Sequence, residues 1–206
     1  DGTLSGNEAV DGGAIYSSGM LTITGSVFSE NRVPHKGGAV YNTGTLQAAD
    51  SQFISNGDHT SHPIEGGAIY SAQNASASFN GVTFEQNFAW YNGGAIASYG
   101  SLSVTNSRFL TNMALDMGGA IFQIGSAASL VDTSFEGNET WNYAGTLYTS
   151  SNMQITRCLL TGSYSWYGGA ILAGGTLRVE NSTISNNIGY EGAAILNYGT
   201  TTLSFT

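Results

Sequence analysis

The tetrapeptide Gly-Gly-Ala-Ile/Val returns six times along this chain, beginning at Gly12, Gly37, Gly66, Gly93, Gly118 and Gly168. Relaxed copies begin at Ala144 (AGTL) and Gly192 (GAAI), so successive copies lie 24 to 29 residues apart. Self-similarity at such a period marks an array of stacked units. A second motif, Phe-x-x-Asn, falls between the copies at Phe28/Asn31, Phe53/Asn56, Phe84/Asn87, Phe109/Asn112 and Phe135/Asn138. Leu4/Asn7 and Ile184/Asn187 are aliphatic versions, and Leu160/Ser163 is a degenerate one. Seven residues before these anchors stand Leu21, Leu46, Ala77, Leu102, Ala128, Met153 and Leu177. Two residues further on come Ile23, Ala48, Phe79, Val104, Leu130, Ile155 and Val179. Apolar residues at every second position are the signature of a strand.

Three short apolar segments per repeat, separated by Gly, Asn and Asp, describe one turn of a three-sided coil. The 3.6-residue periodicity that a helical repeat needs is missing. A pattern that returns in the same phase makes each coil pair in parallel with the last, which hairpins do not do. The predicted fold is therefore all-β, a right-handed parallel β-helix of about eight three-sided coils, roughly 40 Å long at the usual strand spacing. Residues 1–206 form one domain, with coils starting near 12, 37, 66, 93, 118, 144, 168 and 192 after a partial coil over 1–11. Ile15, Val40, Ile69, Ile96, Ile121, Leu147, Ile171 and Ile195 are expected to stack inside, as is the Phe column. The Asn column is expected to turn the chain, with its amides bonded to backbone or along a ladder. Asp50, Asn106, Asp132 and Asn181 fill another turn column, with Gly25, Gly81 and Arg157 as substitutes. The paired glycines predict a corner of unusual φ or close backbone approach.

Charged residues are only 9% of the chain, and 14 acidic against 5 basic residues give a net charge of −9. Nucleic acid and anionic membranes attract basic surfaces, so neither is an expected partner. No apolar run reaches the ~18 residues of a membrane span, so this segment is not expected to insert directly. The one cysteine, Cys158, permits no intrachain disulfide.

The pairing of GGAI/GGAV with FxxN, in fixed order from Leu4 to Ile195, resembles the repeat of the chlamydial-type polymorphic outer membrane proteins. That resemblance implies a β-helix passenger of an autotransporter, used in adhesion and displayed on the cell surface (outer membrane) or secreted. Its partners would then be a host or neighbouring-cell protein or glycan.

If the core columns are structural, function lies in the segments that vary. The stretch from each Asn to the next Gly-Gly carries all three tryptophans, Trp90, Trp141 and Trp166, together with Tyr91, Tyr143, Tyr164, Tyr167 and Tyr190. Stacking in phase predicts that these eight residues form one ridge and the ligand-binding site. Beside it, Tyr16, Tyr41, Tyr70, Phe122 and Tyr148 are expected to point outward. Exposed aromatic rows stack on sugars or anchor protein interfaces. In the alternative arrangement the loop aromatics fold over the tyrosine row as a satellite cluster.

His35, Asp58, His59, His62 and Glu65 share one loop column and are weak candidates for a transition-metal site, since imidazole and carboxylate both ligate such metals. Without a helix to fix the HxxH spacing, a solvated loop is the preferred reading, and no cofactor is expected. An enzyme is not expected either. β-Helix polysaccharide lyases and hydrolases need clustered carboxylates and usually a basic residue as well. Here the only lysine is Lys36, Arg32, Arg108, Arg157 and Arg178 are scattered, and Arg178/Glu180 reads as a plain surface ion pair. The stronger rival is structural. Leu203-Ser204-Phe205-Thr206 joined to Asp1-Gly2-Thr3-Leu4 spells the Leu102–Phe109 pattern, which suggests a self-assembling unit stacking head to tail in a filament.

Overall fold

The computed structural model describes residues 2–57 and 64–205. Its strands form three eight-stranded sheets, in each of which neighbours come from successive coils and pair in parallel. Each coil gives one strand to each sheet, so the molecule is a three-sided β-solenoid of eight coils. A short three-stranded sheet, Phe88–Ala89, Met113–Ala114 and Glu139–Thr140, adds a fourth side over part of its length.

The register follows the columns of the sequence residue by residue. Ile15 pairs with Val40, Val40 with Ile69, and the line continues through Ile96, Ile121, Leu147, Ile171 and Ile195. On the second side Leu4, Phe28, Phe53, Phe84, Phe109, Phe135, Leu160 and Ile184 form one file. Its five phenylalanine rings stack with centroids 4.7–5.1 Å apart. That distance is the strand spacing itself, so the backbone ladder sets the ring stacking. Both files and the Leu/Val file of the third side belong to a single core running the length of the rod.

The corners carry the backbone strain. Gly12, Gly37, Gly66, Gly93, Gly118, Gly168 and Gly192 all have φ between +57° and +69°, and Ala144 takes +58° in the relaxed copy. The second glycine answers a different demand. A Cβ on Gly67 would collide with the backbone carbonyls of Gly94 and Phe88, so two chains pass too close there for any side chain. The second turn column behaves as expected: Gly25, Asp50, Gly81, Asn106, Asp132, Arg157 and Asn181 are all left-handed.

At the Asn corner the expectation needs correction. The turning residue is the one before the asparagine: Gly6, Glu30, Ser55, Gln86, Thr111, Gly137, Gly162 and Asn186 have the positive φ. The asparagine closes the corner instead. Asn112 Nδ2 donates to Asn138 Oδ1 at 3.0 Å and to the Phe84 carbonyl at 3.0 Å. Its own Oδ1 accepts from the backbone N–H and the side-chain amide of Asn87, at 3.1 and 2.9 Å. The same set recurs at Asn31, Asn56 and Asn87, giving a continuous amide ladder from Asn7 to Asn138.

The end-to-start join is also corrected. Leu203 pairs with Val179, and Thr201 occupies the position opposite Leu177. Leu203 therefore lies two residues further along the coil than the Leu102 position, and joining residue 206 to residue 1 would run out of phase. The pattern Leu-Ser-x-Thr fits either register by sequence; the glycines decide it, because Gly199 packs over Gly175.

Candidate functional site

Alternation along the Ile strands sends every second side chain outward. Tyr16, Tyr41 and Tyr70 stack there at 4.9 and 5.1 Å. Ala97 leaves a gap in the row, and Tyr99 fills it from two residues downstream, lying 5.2 Å from Tyr70 and 5.8 Å from Phe122. Phe122 then stacks on Tyr148 at 5.1 Å. The row is not an open surface. Tyr70 is only 6% exposed, and it forms a second apolar cluster with Ala97 and Phe122, packed against Tyr41, Ala72, Tyr99, Met117 and Tyr148.

What covers this row is the residue just before each Gly-Gly. Asp11, Lys36, Glu65, Asn92, Met117, Tyr143, Tyr167 and Glu191 form that column through single parallel bridges. Lys36 Nζ lies 4.6 Å from the centre of the Tyr70 ring and donates to its hydroxyl at 3.3 Å. Glu65 accepts from the Tyr99 hydroxyl at 2.7 Å and from Asn92 at 3.0 Å. Burial, and next the hydrogen bond to Glu65, push the Tyr99 hydroxyl far above its ordinary range. Burial likewise raises Tyr70 and Tyr148, and the charge of Asp116 adds to the shift at Tyr148. The alphabet of this column is mixed, which is why the sequence did not single it out.

Most of the loop aromatics stand in solvent, although Tyr143 and Tyr167 belong to the covering column. Trp141 is 64% and Trp166 54% exposed, with Tyr91, Tyr143, Tyr164 and Tyr190 also exposed and Tyr167 partly so. They are brought together only in part. Tyr143 stacks on Tyr167 at 5.3 Å, Trp166 on Tyr190 at 6.3 Å, and Tyr167 meets Tyr190 edge to face. Glu139, Tyr164 and Ile188 bridge in succession, so Tyr164 points outward two residues before Trp166 on the same short side. Trp90 and Tyr91 lie apart from this group. In the intervening coil the corresponding positions are Leu115 and Asp116. Trp90 is half-buried against Phe88 at 6.2 Å, and among the described residues its indole N–H has no hydrogen-bond partner. Of the eight predicted residues, ring contacts join Tyr143, Tyr167, Trp166 and Tyr190; Trp141 and Tyr164 are exposed in the same coils, and Trp90 and Tyr91 stand apart.

Asp58, His59 and His62 lie outside the described residues. Of the remaining metal candidates, His35 is exposed and Glu65 is held by Tyr99 and Asn92. Among the described residues no group of three or more His, Cys, Asp or Glu side chains is placed to hold a metal ion. Three of the four arginines are engaged by carboxylates: Arg157 grips Asp132 through two bonds of 2.7 Å, Arg178 pairs with Glu180, and Arg108 lies 3.9 Å from Glu136. The depression beside Arg157, about 370 Å³ and lined by Asn106, Arg108, Asp132 and Thr133 among others, is a shallow surface feature. Among the described residues no helix is long and apolar enough to cross a membrane.

Fold and columns together define the class: a parallel β-solenoid whose corners are fixed by Gly-Gly-Ala and by an asparagine ladder. Residues 1–18 and 25–43 match the Chlamydia polymorphic membrane protein repeat. Over 154 residues, 70% of this chain, the sequence is 30% identical to a protein of Escherichia coli (strain K12) described as probable autotransporter YfaL. The matched stretch is 12% of that relative's length. No solved structure matches the chain.

Proposed function

We propose that this rod is a non-enzymatic, surface-displayed or secreted adhesin segment, a stretch of an autotransporter-type passenger. It contacts a protein or glycan of a host or neighbouring cell through the aromatic ridge. The observation that carries this reading is the solvent exposure of Trp141, Tyr143, Tyr164 and Trp166 on a molecule whose phenylalanine file is buried and whose outward aromatic row is covered at Tyr70 and Phe122. Clustered exposed aromatics are unusual on a surface with no contact to make, and they supply much of the energy where contacts form. The repeat family and the autotransporter relative support display outside the cell.

The test is cell adhesion by the purified rod and by a variant with Trp90, Trp141 and Trp166 all changed to Ala. Loss of about 2 kcal/mol or more, roughly thirtyfold in affinity, is expected with the β-sheet circular dichroism retained. A folded variant that adheres as well as the parent rejects the ridge as the contact.

A further inference from the structure

We infer that the ridge receives a basic peptide segment of a partner protein, whose Lys or Arg side chains seat against Trp141, Tyr143, Tyr164 and Trp166 and are neutralised by Asp116 and Glu139. This inference rests on the ridge being the contact surface and adds the chemistry of what it contacts.

Ring geometry separates the two partner classes. A sugar stacks on an open ring face. On this ridge neighbouring rings lie over one another at the coil spacing, Tyr143 on Tyr167 with planes 21° apart and Trp166 on Tyr190 with planes 17° apart. Stacking covers one face of each of these four rings. A cation can use such a site, and the molecule contains an example. Tyr70 is stacked against Tyr41 and flanked by Tyr99, yet Lys36 reaches its ring at 4.6 Å and its hydroxyl at 3.3 Å.

The later coils repeat this arrangement without the cation. Tyr143 and Tyr167 occupy the column of Lys36. Glu139 is exposed on the same short strand as Trp141's approach, and Asp116 lies beside Tyr143, whose backbone N–H donates to its carbonyl at 2.8 Å. Asp116 accepts from Asn142 at 3.1 Å, and among the described residues neither Asp116 nor Glu139 is in an ion pair. The arginines of these coils are committed to Glu136, Asp132 and Glu180. Charge complementarity must therefore be supplied from outside.

Isothermal titration calorimetry on the whole chain tests this with three probes. These are a twelve-residue peptide alternating Gly with Lys and Arg, the same peptide with Gln at every basic position, and a neutral oligomer of N-acetylglucosamine. The basic peptide alone should bind. Asp116→Asn with Glu139→Gln should weaken it about tenfold, as should Trp141→Ala with Trp166→Ala. Glu30→Gln with Asp50→Asn removes the same charge from exposed positions elsewhere, and should change affinity less than twofold. Equal losses from the two charge pairs would mean diffuse attraction to an acidic rod and overturn the site. Binding of the sugar oligomer but not the basic peptide would overturn the partner class and leave the ridge standing. If no probe binds while the tryptophan variant still loses cell adhesion, the basic partner fails and the contact surface survives. If adhesion is also unaffected, both fail.

Discussion

A single asparagine shows how much of this fold rests on one side chain per coil. Asn112 is fully buried, and its amide serves four bonds, two given and two received. Alanine there would strand the Phe84 carbonyl and the Asn87 backbone N–H in the core. Each such orphan costs about 1–3 kcal/mol, so Asn112→Ala should lose about 3 kcal/mol or more in chemical denaturation. Asn7→Ala, at an exposed position, should lose about 1 kcal/mol. Equal effects at the two sites would mean the ladder carries no energy of its own. The sequence made this column legible because one amide chemistry recurs in it. It hid the neighbouring column because a left-handed φ is met there by Gly6, Glu30, Ser55, Gln86, Thr111 and Asn186 alike. Backbone geometry forced by a corner leaves a weak mark on residue identity when the side chain is free to point into water.

At the scale of one coil, the degenerate sixth repeat looks like damage in the sequence and like a repair in the structure. Thr146 stands where the other repeats place Ala, and Ser163 where they place Asn. The two hydroxyls are hydrogen-bonded to each other inside the core. The ladder is interrupted there and resumes when the Ser163 backbone N–H donates to Asn187 at 2.9 Å. Two departures that touch are one substitution of a whole unit, so they should couple. Thr146→Ala leaves the Ser163 hydroxyl without its partner, and Ser163→Asn sets a larger amide against the threonine. The double variant restores the pattern of the other coils. A double-mutant cycle should give a coupling energy on the order of 1–2 kcal/mol, with the double variant at least as stable as the parent. Additive effects would show that the two changes arose independently. The same reasoning explains what was legible in the site. Loop aromatics could be counted from the sequence, but whether they share a column depends on loop length. Across adjacent coils Glu139 faces Tyr164 and Tyr143 faces Tyr167, whereas Leu115 and Asp116 interrupt the line back to Trp90 and Tyr91.

Across the whole molecule, the buried stacks should make the rod lose stability in alkali. Tyr70, Tyr99 and Tyr148 lie in or against the covered row, and burial raises each above its ordinary value of 10.0. Cys158 sits in the main core, and burial raises its thiol above 9.0. In all four the neutral form is the one that fits the fold. Raised values mean the unfolded chain gives up these protons first as pH climbs. Their contribution is therefore complete below about pH 9 and is lost as pH rises through the shifted values. Lys36 is also raised, so its stabilising charge against Tyr70 is lost in the same direction. The chain already carries a net charge of −9, so each new anion adds to repulsion along the rod. The melting temperature followed by circular dichroism should be flat from about pH 7 to 9 and fall steadily above it. Tyr99→Phe keeps the ring that fills the Ala97 gap and removes the most strongly shifted hydroxyl, so its alkaline slope should be shallower than the parent's, with some stability lost at neutral pH from the missing bond to Glu65. A parent curve that stays level to pH 11, or a variant with an unchanged slope, would mean that the covered tyrosine row opens to solvent without unfolding the coils beneath it. The row would then be a second accessible aromatic surface beside the ridge.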